Sequence, residues 1–147
     1  MLSDLRPHTD RGTVLLLFPA AVFVMIVLGA LVIDVSLSQV RARELESVAA
    51  SAANDALAAL DVNALRSTGE IQFDLAHAET IVAEAIATGP LPDATIDTVT
   101  ITGLGGPGPE IAVKLTLQVD LVMAPALPGD IGSTTITRTR SVSILGR

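Results

Sequence analysis

Asp34-Val35-Ser36-Leu37-Ser38 spells D-x-S-x-S, an oxygen-rich pattern that binds a divalent cation when it sits on a loop after a strand. On a helix, Asp34 and Ser38 share a face while Ser36 points away, so the oxygens do not converge. The flanking residues are helix formers, so no metal is expected there and Asp34 reads as a polar stop at the end of an apolar run. The glycine-rich stretch from Gly103 to Pro109, GLGGPGP, looks like a phosphate loop only superficially. It lacks the Lys-Ser/Thr that such a loop needs and leads into a strand, so it reads as a hairpin connection. His77 has no Ser, Cys or second His in a plausible constellation, and a solvated histidine is expected. Glu79 and Glu84 are five residues apart and do not stack on one helix face. The sequence therefore offers no catalytic set and no cofactor or metal site, and a non-enzymatic protein is expected.

Composition narrows the classes further. The 147 residues hold one membrane segment and one small domain, and carry a net charge of −7. Asp4 and Asp10 offset Arg6 and Arg11, which leaves the acidity beyond residue 12. With no Trp, no Tyr and three Phe, the chain has neither the basic field nor the stacking rings of a nucleic-acid binder. The absence of Cys removes disulfides, zinc–thiolate sites and thiol catalysis.

The element that would position everything else is the uncharged run Thr13 to Ile33, TVLLLFPAAVFVMIVLGALVI. As a helix its 21 residues reach roughly 31 Å, about the thickness of a bilayer's hydrocarbon core. A helix also satisfies every backbone amide internally, as lipid requires. A secretory signal has a shorter apolar region and a small-residue exit, whereas the best exit here, Leu28-Gly29-Ala30, begins with a bulky Leu. An uncleaved signal-anchor is expected, with a cleaved, secreted domain as the alternative. Residues 1–12 form a short cytoplasmic tail, 13–33 the transmembrane helix and 34–147 a small exported α+β domain. Arg6 and Arg11 before the span balance Arg41 and Arg43 after it. Arg11 abuts the membrane, while Arg41 and Arg43 can pair with Glu44 and Glu46 at i,i+3, which favours a cytoplasmic N-terminus.

Nothing stops the helix at Ile33. From Asp34 to about Leu60 there is no Gly or Pro, and Leu45, Val48, Ala49, Ala52, Ala56, Ala59 and Leu60 fall on one stripe, with Arg43, Ser47 and Asn54 off it. The small residues Ala49, Ala52, Ala56 and Ala59 permit close approach, either of a partner helix or of the domain's own sheet. A loop with Asp61, Asn63, Ser67 and Gly69 follows. A second helix is then capped by Asp74, presents Leu75, Ala78, Val82 and Ala85 or Ile86 as its apolar stripe, and ends at Gly89-Pro90. Three strands complete the chain: residues 94–102, the alternating run from Ile111 to Met123, and 134–145. In the last, Arg138 and Arg140 share a face with Ile136, Val142 and Ile144, which suits an edge strand. The expected domain is α+β, two helices with a three-stranded antiparallel meander.

Arg11-Gly12, Phe18-Pro19, Val32-Ile33-Asp34-Val35 and the AASAANDALAAL run together resemble the TadE/TadG-like family of Flp (Tad) pilus assembly proteins. The similarity covers about residues 11–60. It implies a bitopic or pseudopilin-like protein that works with pseudopilins or pilin by protein–protein packing, including a possible helix-mediated oligomer in the bilayer. In the pseudopilin branch a peptidase cuts after a Gly and prefers a Glu five residues later. With Gly12 as the junction and Thr13 as the new terminus, that fifth position is Leu17. The resemblance thus implies an uncleaved anchor in the inner membrane. The alternative function is a small extracytoplasmic binding domain unrelated to pili.

Overall fold

A computed structural model describes residues 11–103, 108–123, 125 and 132–144, with side chains from residue 17 onward. The tail over 1–10, the middle of the GLGGPGP connection and most of the β2–β3 connection lie outside the described residues. Helix α1, Arg11–Asp55, runs for 45 residues, about 67 Å, with Pro19 inside it. It tightens into a 3₁₀ turn at Ala56–Ala59. Helices α2, Val62–Thr68, and α3, Leu75–Thr88, follow, and strands β1, Thr95–Thr102, β2, Glu110–Asp120, and β3, Ser133–Ser143, close the chain.

The first half of α1 is bare and the second half is the spine of the domain. Phe18 and Met25 are each 73% exposed, whereas Leu45, Ala49, Ala52, Ala53 and Ala56 have no accessible surface. The change follows the sequence. Bulky apolar residues ring the first half on every side, and from Ala42 onward apolar residues keep to one stripe with charge on the other.

That stripe packs on a three-stranded antiparallel sheet of order β1-β2-β3, so the fold is α+β. Ile111, Val113, Leu115, Leu117 and Val119 of β2 all point inward and are buried. Thr98, Thr100, Thr137 and Thr139 face water on the opposite side, where Thr116 and Thr137 share a hydroxyl contact of 3.1 Å. Ile96 and Val99 differ in parity yet both face the core. The register slips between Ile96 and Thr98, so one extra residue, Asp97, lets β1 keep both apolar side chains inward. Asp97 then reaches Lys114 at 2.5 Å.

α3 covers the far end of the stripe. The Asp74 carboxylate accepts from Ala76 N at 3.0 Å and His77 N at 3.2 Å, starting a helix that buries Ala78, Val82 and Ile86.

Two expectations are corrected. The segment after Leu60 is not a loop but the helix α2, started by the Asp61 carboxylate at 2.9 Å from both Asn63 N and Ala64 N. It is closed by Gly69 at φ 74°, whose N–H donates to Leu65 O. None of its residues is buried, so no apolar stripe announced it. The β2 alternation does not carry a strand to Met123. β2 ends at Asp120: Leu121 N still donates to Gly132 O at 2.9 Å, but the amides of Val122 and Met123 turn to Asp34.

Candidate functional site

The place where the bare and packed halves of α1 meet is the most built part of the surface. Asp34, directly after the apolar run, is only 5% exposed. Its Oδ1 accepts from Val122 N at 2.9 Å and Met123 N at 3.1 Å, and its Oδ2 from Met123 N at 3.2 Å. One carboxylate thus ties the helix to the chain leaving β2, across 88 positions of sequence. Charge-assisted bonds of this kind are shorter and stronger than neutral ones. Ser38 Oγ donates to the Asp34 backbone carbonyl at 2.9 Å and Ser36 is exposed, so the D-x-S-x-S oxygens do not converge.

Beside this tie runs a groove of about 560 Å³ between α1 and β3, with Asp34 in its wall. Ala30, Leu31 and Val35 form its lower helical wall, Leu121 and Met123 its floor, and Arg138 its upper end. Higher still, Arg140 of β3 pairs with Glu46 of α1. Of the two i,i+3 pairs expected on α1, Arg41–Glu44 forms at 3.0 Å, while Glu46 reaches across to the sheet.

The structure separates the residues singled out in the sequence. Gly12 and Thr13 lie in the helical backbone of α1, their side chains outside the described residues; Leu17 is 59% exposed and Ile33 50%. Ala49, Ala52, Ala56 and Ala59 are all in the core, packed against α3 and the sheet. Of the two uses open to a small-residue stripe, the fold takes the internal one. His77, Glu79 and Glu84 are exposed on α3. Among the described residues, no three His, Cys, Asp or Glu side chains gather where a metal ion could be held. The GLGGPGP stretch joins β1 to β2 as a hairpin connection, with Thr102 opposite Glu110.

Sequence reasoning took Asp34 as a stop and missed the tie, because its partners are backbone amides that carry no side-chain signature. The available signal was an acid in helical continuity with an Ala-rich stripe. The arrangement is suited to holding a domain rigidly against a lipid-length helix. Among the described residues, one helix is apolar and long enough to cross a membrane. No family model, curated protein or solved structure matches the chain.

Proposed function

We propose that this protein is a single-pass membrane anchor carrying a small exported domain, and that it serves as a non-enzymatic component of Flp (Tad)-type pilus assembly or a related secretion apparatus. The observation that carries the anchoring is α1 itself: one continuous helix whose first half exposes large apolar side chains all round and whose second half is the core of the domain. Exposing Phe18, Phe23, Met25 and Ile26 together is unfavourable in water and ordinary in lipid. The pilus assignment rests on the residues over 11–60 that resemble the TadE/TadG-like family.

In this reading the N-terminus is cytoplasmic and the domain lies outside the inner membrane. The work is protein–protein packing. The alanine stripe is occupied by the domain's own core, so partner contacts fall on the apolar half of α1 in the bilayer and on the edges of the sheet. Pseudopilins or pilin are the partners this reading names, and a helix-mediated oligomer uses the same apolar half.

The test is deletion of the chain in its own host, followed by piliation counts and by affinity capture of tagged protein from detergent-solubilised membranes. Loss of surface pili and co-capture of pilus subunits are expected. Normal piliation would refute the pilus role while leaving the anchor standing.

A further inference from the structure

Resting on the anchor reading, we infer that the turn Leu121–Met123, directly after β2, is a second membrane contact: it seats in the lipid interface, and the groove beside it takes an acyl chain of a bilayer phospholipid. Depth is the first argument. Asp34 immediately follows the apolar run, and its carboxylate fixes the Val122 and Met123 backbone at that level. A bilayer boundary at Ile33 therefore also meets this turn. Its side chains fit: Val122 is 63% exposed and Met123 37%, and Met123 lines the groove together with Leu31 and Val35 of the helix.

The amides are the second argument. Irregular backbone is poorly tolerated near hydrocarbon because its N–H groups find no water. Here the carboxylate of Asp34 accepts from two of them. The groove supplies the third. Its lower wall, Ala30 and Leu31, belongs to the apolar run, so that end opens at hydrocarbon depth, where an apolar cleft fills with hydrocarbon. Its upper end carries Arg138, whose Nη1 donates to Thr137 O at 2.9 Å and which meets no carboxylate among the described residues. A cation there lies on the side where lipid phosphates stand.

The chain has no cysteine, so single cysteines can be introduced and labelled with an environment-sensitive dye. The full chain is reconstituted in phosphatidylcholine–phosphatidylglycerol vesicles containing nitroxide-labelled lipids. Val122→Cys is compared with Phe23→Cys in mid-span and Thr100→Cys on the outer sheet face. A shallow-chain nitroxide should quench the Val122 dye several-fold more than the Thr100 dye, and a deep-chain nitroxide should quench the Phe23 dye most. Adding Asp34→Ala should lower quenching at position 122 while leaving position 23 unchanged. A Val122 dye that behaves like the Thr100 dye, with Phe23 still quenched, would overturn the inference and leave the anchor intact. A blue-shifted but unquenched Val122 dye would mean that a second copy, not lipid, covers the patch. Absence of quenching at Phe23 would remove the anchor and the inference together.

Discussion

Asp34 carries more of the structure than any other polar residue among those described, because a single carboxylate accepts from the amides of two residues on another element. Truncation to Ala strands both donors. Bonds to a charged acceptor contribute about 1.5–3 kcal/mol, so Asp34→Ala should destabilise the domain by about 2–3 kcal/mol. Asp34→Asn keeps one neutral acceptor oxygen and should lose about 1 kcal/mol. Thermal unfolding followed by circular dichroism in detergent checks the order Asp > Asn > Ala; equal melting of all three would show that the tie contributes nothing. The exposed His77 is the contrast: its imidazole sits on the solvent face of α3, and His77→Ala should leave the melting temperature unchanged. Gly103 is held by its backbone. It sits at φ 76°, and a Cβ there would stand 2.8 Å from the Gly108 carbonyl oxygen. Gly103→Ala should cost about 1–3 kcal/mol, read in the same assay.

At the scale of elements, α1 makes two kinds of surface from one helix. Its alanines let the sheet and α3 approach closely, and Ala52 has no accessible surface. Ala52→Leu adds volume to a packed seam and should destabilise the domain by about 1–3 kcal/mol. Because the stripe is internal, any loss of partner capture in this variant should track loss of folding; a normal melting curve with lost partner capture would contradict that placement. The elements also set how much was legible beforehand. α3 and the three strands follow from caps, breakers and alternation, and their bounds differ from the sequence reading by a few residues at most. α2 was not legible, because a short helix with no buried residue has no core face to impose a period. Its Asp61 cap and Gly69 stop are visible, but the same residue types suit a loop equally well.

For the whole molecule, a helix long and apolar enough to cross a bilayer sets the behaviour to expect. The full-length protein should remain in the membrane pellet after alkaline carbonate washing, since exposing the first half of α1 to water is too unfavourable. Recovery in the supernatant would refute the anchor. A cysteine at the exposed Thr100 should label with an impermeant maleimide once the outer barrier is opened, and labelling only after inner-membrane lysis would reverse the orientation. Leu17 stands where the pseudopilins of the resembled family have Glu, so the intact mass should place the N-terminus upstream of Gly12. A mature chain beginning at Thr13 would make the protein a processed pseudopilin.

By itself the sequence determined the membrane-length helix, its continuation without a break, the second helix and the β2 alternation. Each of these is a local property, written in hydropathy period, helix propensity and turn residues. Tertiary structure alone decided three things. It turned the alanine stripe inward, since small residues serve an internal sheet and an external partner equally and only the available surfaces choose. It drew Glu46 away from Arg43 to Arg140, because the edge strand brings a cation alongside the helix. And it made Asp34 a tie between helix and sheet, because its acceptor oxygens meet amides 88 and 89 residues further on, and backbone amides are the same in every sequence.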